Sequence, residues 1–560
     1  MFYEYKVSGN CIWEGTVIDE NELVKNVEKY SGVLNKFRQG DRPVALRLSR
    51  CPKAVYCMLG LLECGIPFLN IDKNIPVQRV SYMLEVCEAK YLITDNDEEK
   101  FEGVSTILIS ELDCYTVEKC TQKSDSDIAY YMCTSGTTGR PKAVKVLRSG
   151  LHNFFRGMSS IFSFEKGMKI ANITSYSFDI VFFELLYSLY NNLTVILTND
   201  DEISSVKTLG NIIEQNEIDI IQITPSRLRM IQLIDKKLKC LDRVKYLLVG
   251  GEAFPKELLP ILHKKVCRIY NMYGPTETTI WSTVGELTES KTVNVGVPIL
   301  NTSIYIVDNK NCLCECEEEG EIYISGAGLS AGYSNNEEAT KKAFVYLNVN
   351  GTKKRVYRTG DLGMIDINGV LHCYGRLDNQ IKLNGNRIEL DDIDQNILDT
   401  KMVHSTSTCF DKDNNRLMTF YINDSEVDNS KFIEKLREKI PETMIPKKYI
   451  RVKEYIYTVS GKIDAHAMIE NANFEISLEK KQASDVNKNI FYEIIHRYVS
   501  VPFDDDSNLE DLIADSIVFV QLLVDVEEAF SFEFDAEALV ENNYVHVIDL
   551  YNHIKNRITH

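Results

Sequence analysis

The chain has 560 residues, 44 % of them hydrophobic and 26 % charged. It is too long for one ordinary domain and too balanced for a disordered, collagenous or disulfide-scaffold protein. Its formal net charge of −19 argues against a generic nucleic-acid binder.

The start of the chain lacks a basic region followed by an apolar core, so no secretory leader is expected. No run approaches the ~18 apolar residues of a membrane helix. The 15 cysteines are scattered, and Cys312-Leu-Cys314-Glu-Cys316 lacks the paired spacing of a structural zinc site. These features lead us to expect a cytoplasmic protein with reduced thiols. Apolar periodicity predicts helices over Glu22 to Phe37 and Pro52 to Cys64. Short β-rich runs lie at Val44 to Leu48, Tyr91 to Thr94, Leu193 to Leu197, Ile218 to Ile223 and Lys245 to Val249. That alternation points to α/β layers with a largely parallel sheet. From Glu319 onward the pattern is strand-rich with glycine turns. Residues 471–489 are polar and read as a linker. Four helical stretches follow: Ile490 to Val499, Ser516 to Phe530, a short piece from Asp535 to Glu541, and Val545 to Arg557. They suit a small helical bundle. This segment is strongly acidic, with 16 Asp and Glu against 4 Lys and Arg from Asp485 to the end.

The most informative run is Tyr131-Met-Cys-Thr134-Ser135-Gly136-Thr137-Thr138-Gly139-Arg140-Pro141-Lys142. Glycines let backbone amides approach phosphate oxygens, hydroxyls donate to them, and Lys142 supplies charge. The spacing is not that of a P-loop. The run resembles the signature loop of the adenylate-forming superfamily, and further matches follow in order. They are Leu61 to Ile71, Asn271-Met-Tyr-Gly-Pro-Thr-Glu-Thr-Thr279, Gly320 to Gly326, Tyr357-Arg-Thr-Gly-Asp361-Leu-Gly363, Gly375-Arg-Leu-Asp-Asn-Gln380 and Ser460-Gly-Lys462-Ile-Asp464. Among adenylate-forming enzymes the version is similar to the adenylation domains of nonribosomal peptide synthetases. The last motif departs from the family pattern, with Val459-Ser460 where Pro-Asn usually stands. Gly328-Leu-Ser330-Ala-Gly332 fits a hydrolase nucleophile elbow, but it lies inside a family stretch.

The resemblance implies a large α/β N-terminal adenylation subdomain over residues 1–377 and a small α+β C-terminal lid over 378–470. The linker 471–489 and an all-α four-helix peptidyl carrier domain over 490–560 complete the expected order. It implies ATP and Mg²⁺ as cofactors. Thr134, Ser135, Gly136, Thr137, Thr138, Gly139 and Lys142 would hold the β- and γ-phosphates. Asn271, Tyr273, Gly274, Thr276, Asp361 and Arg376 would complete the nucleotide site, with Tyr273 on adenine and Asp361 on the ribose hydroxyls. Glu277 would bind magnesium, a hard cation that prefers oxygen. Lys462 would stabilise the charge that develops as the adenylate forms. Asp378 would be the hinge, and Gly385 would line a passage for a pantetheine arm.

Asp511-Leu-Ile-Ala-Asp515-Ser516 resembles a carrier attachment site, which makes Ser516 the expected bearer of 4'-phosphopantetheine. Ile513-Ala514 stand where peptidyl carriers usually have two glycines. A helix start there suits the phosphate. The positions that track substrate in adenylation domains fall on Asp179, Ile180, Phe183, Gln222, Leu248, Gly250, Met272, Ile280 and Trp281, with Lys462. Asp179 would pair with an α-ammonium, and the bulky remainder resembles pockets that select glycine. A filled pocket excludes larger acids by overpacking, and glycine has nothing smaller to be confused with. The expected function is activation of glycine and its transfer as a thioester to Ser516, for nonribosomal peptide synthesis. A phosphopantetheinyl transferase, and condensation, reductase or other tailoring proteins in trans, are the expected partners. An acyl, aryl or alanine ligase of the same superfamily, or a degenerate docking scaffold, are the alternatives.

Overall fold

The computed structural model describes residues 6–115, 126–134, 140–204, 206–266, 268–377, 380–383, 386–457, 463–499, 501–513, 516–530 and 545–558. They divide into two compact units, Met1–Lys453 and Glu454–His560.

Among the described residues the first unit contains two layered α/β sheets. One has nine strands, in the order Val297–Pro298, Thr283–Glu286, Arg268–Tyr273, Tyr246–Gly250, Ile220–Ile223, Lys169–Asn172, Thr194–Leu197, Asn10–Trp13 and Thr16–Ile18. From Arg268–Tyr273 through Asn10–Trp13 its pairings are parallel. The other has six strands, in the order Ser105–Leu108, Tyr91–Thr94, Val44–Arg47, Phe68–Asn70, Ile128–Thr134 and Lys142–Leu147. Strands such as Val44–Arg47, Thr194–Leu197 and Ile220–Ile223 are buried along their whole length. Buried faces on both sides are what continuous β-branched runs without alternation produce.

The helix predicted from Pro52 is Pro52–Cys64. Proline fits its first turn, where no amide partner is missed. Gly65 closes it at φ 69°, taking the left-handed conformation that a helix end requires and that glycine adopts without a Cβ clash. An antiparallel sheet of Thr302–Val307, Gly320–Gly326, Thr352–Ile365 and Phe344–Val349 follows, with Leu371–Arg376 paired to Thr352–Ile365. Beyond it lie a hairpin, Gln380–Leu383 with Asn386–Glu389, and a sheet of Ser405–Asp411, Arg416–Ile422 and Lys448–Arg451. Helices Leu390–Leu398 and Asn429–Arg437 cover a separate core around Ile388, Ile393, Ile397, Phe432 and Leu436.

In the second unit, the stretch read as a linker lies inside one helix, Ala465–Tyr498. The expectation that a helix begins at Ile490 is corrected accordingly. Residues 471–489 contain neither glycine nor proline and are supplied with Glu, Lys, Ala and Gln. They carry few large apolar residues, but nothing in them opposes helix. Asp464 caps the start by accepting from the Ala467 N–H at 3.1 Å. The unit's core joins Phe491, Ile494 and Ile495 of this helix to Leu522 and Val526 of Ser516–Phe530, and to Val547, Leu550 and Ile554 of Val547–Ile558. The piece expected at Asp535 to Glu541 lies outside the described residues.

Candidate active site

A cleft of about 700 Å³ opens in the first unit. Its walls follow the carboxyl ends of parallel strands. Thr174 comes just after Lys169–Asn172, Thr224 just after Ile220–Ile223, and Gly251 just after Tyr246–Gly250. Gly274 and Thr276 follow Arg268–Tyr273, and Thr134 ends Ile128–Thr134. Open α/β sheets place ligands at such ends, where loops leave the strands and are free to shape a site.

At one end of the cleft three expected nucleotide residues meet. The Tyr273 hydroxyl donates to Asp361 Oδ2 at 2.6 Å, and Arg376 Nη1 reaches Asp361 Oδ1 at 3.3 Å. Burial, with the Asp361 charge beside it, pushes the Tyr273 hydroxyl well above its ordinary pKa, so it stays a donor. Thr134, Gly274 and Thr276 line the same cleft. Lys142 is half-buried, with Nζ 6.0 Å from the Tyr333 ring centre. Burial draws its pKa down, against the pull of Glu389. Asn271 is placed elsewhere. Its Nδ2 donates to the Asn294 carbonyl at 2.7 Å, and it is not among the cleft-lining residues. Ser135, Gly136, Thr137, Thr138, Gly139, Asp378, Gly385 and Lys462 lie outside the described residues.

The Glu277 carboxylate is fully buried and already engaged. Arg387 Nη1 donates to both of its oxygens, at 3.0 and 2.8 Å, and the Tyr333 hydroxyl donates to Oε1 at 2.8 Å. Arg387 and these donors hold its pKa below the usual value against the opposing effect of burial. With a guanidinium on both oxygens, Glu277 in this arrangement fits an ion pair and does not fit a magnesium ion. Among the described residues no cluster of three or more His, Cys, Asp or Glu is placed to hold a metal. Ser516 opens helix Ser516–Phe530, and a serine at a helix start fits a phosphodiester-linked arm.

The other end of the cleft holds most of the expected acid pocket. Asp179, Ile180, Gln222, Ile280 and Trp281 line it. Burial pushes the Asp179 carboxyl up to about 6, against hydrogen bonds from Thr276 and the Ile280 amide. Its Oδ2 has no hydrogen-bond partner, and neither do Gln222 Nε2 and Trp281 Nε1. Three residues lining the cleft thus each carry a buried polar atom without a partner, which suits a polar ligand. Trp281 is 1 % exposed. A Cβ added at Gly250 would come within 2.7 Å of the Trp281 ring and 2.9 Å of the Met272 Cβ, so glycine there is what lets the indole close the pocket. Phe183, Leu248, Gly250 and Met272 do not line the cleft. Phe183 is stacked on Tyr187 at 5.0 Å, and Met272 pairs with Gly250.

Two features lay beyond reading by motif. Thr279 and Ile280 both have positive φ, 66° and 65°, a strained setting for β-branched residues of the kind found at binding sites. Arg387 reaches Glu277 across 110 positions of sequence. The one available signal was its charge two positions after Gly385 in the sequence.

Residues 11–334 match the family model of AMP-binding enzymes, and residues 489–553 match that of the phosphopantetheine attachment site. A dimodular nonribosomal peptide synthase from Bacillus subtilis is 33 % identical over 442 residues, 76 % of this chain and 18 % of that protein. The chain therefore spans less than a fifth of that relative's length. An artificially fused adenylation–PCP di-domain from Klebsiella oxytoca, NpsA-ThdA, superimposes with a TM-score of 0.71 at 22 % identity, covering 80 % of this chain and 92 % of that one. The Vibrio cholerae adenylation domain AlmE, solved with glycyl-adenosine-5'-phosphate, gives 0.72 at 18 % identity over 84 % of this chain and 95 % of its own. Both likenesses show the fold. No helix among the described residues is long and apolar enough to cross a membrane.

Proposed function

The chain belongs to the AMP-binding enzymes, and from that membership we propose that it activates glycine with ATP and loads the glycyl group onto an arm carried by its own Ser516. Membership of this family implies ATP with Mg²⁺, and the attachment region implies phosphopantetheine on a serine. The observation that carries the substrate reading is the desolvated Asp179 carboxylate, whose Oδ2 has no hydrogen-bond partner, in a pocket shut by Trp281 over Gly250. A buried carboxylate there favours a ligand that brings a positive charge. The closed wall leaves little room beyond an α-carbon. A roomier pocket would discriminate against a smaller acid by only about 1–3 kcal/mol per methylene, whereas steric closure rejects larger ones.

In this reading the carboxylate of glycine attacks the α-phosphorus and expels pyrophosphate. The oxygen–phosphorus bond to glycine forms as the bond to pyrophosphate breaks. Tyr273, Asp361 and Arg376 form the seat for adenine and ribose, and Thr134 through Lys142 holds the outgoing phosphates. Lys462 bridges the acyl carboxylate and the ribose side. Asp378 is the hinge between residues 1–377 and 378–470. The arm's thiolate then attacks the acyl carbon and AMP leaves. A phosphopantetheinyl transferase supplies the arm, and nonribosomal peptide synthesis enzymes in trans take the product.

The test is ATP–pyrophosphate exchange across amino, hydroxy and aryl acids. Glycine should give the strongest exchange, with alanine second. Strongest exchange with an aryl acid, or glycine exchange unaltered by Lys462→Ala, would overturn the reading.

A further inference from the structure

At the acid end of the cleft one hydroxyl faces two acceptors. Thr174 Oγ1 lies 2.5 Å from Glu184 Oε1 and 3.1 Å from the near end of the Gln222 amide. A threonine has one proton to give. Glu184 is fully buried in a π-helical turn, Phe183–Tyr187, a backbone form frequent at functional sites. Its Oε2 receives three N–H groups, from Asn172 Nδ2 at 2.9 Å, Ile173 at 2.9 Å and Thr174 at 3.0 Å. Arg50 is bonded to the Asn172 carbonyl and side-chain oxygens at 2.5 and 2.7 Å, which adds positive charge beside it. Burial raises the Glu184 pKa, against four donors and the Arg50 charge that favour its ionised form, and the inference takes it as the carboxylate that those donors fit. The shorter, charge-assisted contact takes the Thr174 proton.

That leaves a lone pair of Thr174 facing Gln222, and only an N–H can meet it. The near end of the amide is therefore the nitrogen. The far end, buried and without a partner, is the carbonyl oxygen, an assignment the two near-identical amide ends permit.

We infer that Glu184 and Thr174 form a relay that turns the Gln222 amide so that its carbonyl oxygen faces the acid pocket, where with Asp179 it accepts hydrogen bonds from the substrate ammonium. The inference rests on the amino-acid reading above and deepens it. Glu184 and Thr174 are positioning residues, and Gln222 sets specificity. An ammonium has three protons for two acceptors. The hydroxyl of the matching hydroxy acid has one, so an acceptor stays empty and the hydroxy acid is rejected.

The test is pyrophosphate exchange with glycine and with glycolate on the full chain and three variants. In Glu184→Gln the new amide nitrogen would donate to Thr174, whose proton would then turn to Gln222 and reverse its amide. We expect the glycine KM to rise about tenfold, with kcat within about twofold of the parent. The preference for glycine over glycolate should fall by a similar factor. Thr174→Val should do the same, and Thr174→Ser should keep the parental KM. Should Glu184→Gln fail to fold, the two Thr174 variants decide. Parental KM and preference in Glu184→Gln or Thr174→Val, or a KM in Thr174→Ser as high as in Thr174→Val, would overturn the relay. Absence of exchange with every amino acid in the parent would instead overturn the amino-acid reading.

Discussion

Replacing Asp179 by asparagine should stabilise the empty protein while removing its use for amino acids. The carboxyl is held at about 6 in the fold against an ordinary 3.8, chiefly by burial. Folding therefore favours its protonated form, and the folded state loses stability as pH rises from about 4 through about 6. Above that the buried charge costs about 3 kcal/mol. Asparagine is neutral throughout and retains an oxygen to accept from Thr276 or the Ile280 amide. Asp179→Asn should thus exceed the parent by about 3 kcal/mol at pH 8 and by about half of that at pH 5. Thermal unfolding of ligand-free protein at both values reads this as a rise of a few degrees at pH 8 that shrinks at pH 5. Glycine-dependent exchange should fall at least about a hundredfold in kcat/KM, because the ammonium loses its counter-charge. A variant less stable than the parent at pH 8, or a gain equal at both pH values, would refute the reasoning. Asp179 would then be a partnered structural carboxylate.

The Trp281 wall and the Glu277–Arg387 pair give further expectations. Trp281→Leu should enlarge the acid pocket and raise the alanine-to-glycine ratio of kcat/KM by about tenfold or more, measured by exchange. Gly250→Ala should force the indole aside and destabilise the fold by about 1–3 kcal/mol in thermal or denaturant unfolding. Arg387→Ala leaves the Glu277 charge buried without its counter-charge, with only the Tyr333 hydroxyl still donating to it. It should destabilise by about 3 kcal/mol, the lower end for buried pairs because Arg387 is partly exposed. Adding Glu277→Gln should restore most of that loss in a double-mutant cycle.

What could be read from the sequence divides by the range of the forces involved. The strand Tyr91–Thr94 and the helix Pro52–Cys64 stand where periodicity and end signals placed them, because each is encoded in neighbouring residues. Tyr273, Asp361 and Arg376, expected through ordered motifs to serve the nucleotide, are brought together by the fold. Hydrogen bonds between distant segments left no local pattern. The Glu277–Arg387 pair and the Thr174–Gln222 contact are of this kind, since partner choice there depends on packing that no window of sequence contains. Helix Ala465–Tyr498 was misread in part for the opposite reason. Its polar middle carries helix propensity without an amphipathic pattern, so nothing periodic marks it as helix. Phe183 and Met272 were placed in the pocket by motif. In the structure Phe183 lies in the π-helical turn and Met272 in a buried strand, and neither lines the cleft.

The most direct test of the whole account is the intact mass of the full chain after treatment with a phosphopantetheinyl transferase and coenzyme A, then with ATP, Mg²⁺ and glycine. The account predicts a phosphopantetheine adduct that carries one glycyl group, mapped to Ser516 and absent in Ser516→Ala, while that variant keeps glycine-dependent exchange. An arm that forms on Ser516 but never gains glycine, or a glycyl adduct that survives Ser516→Ala, would contradict it.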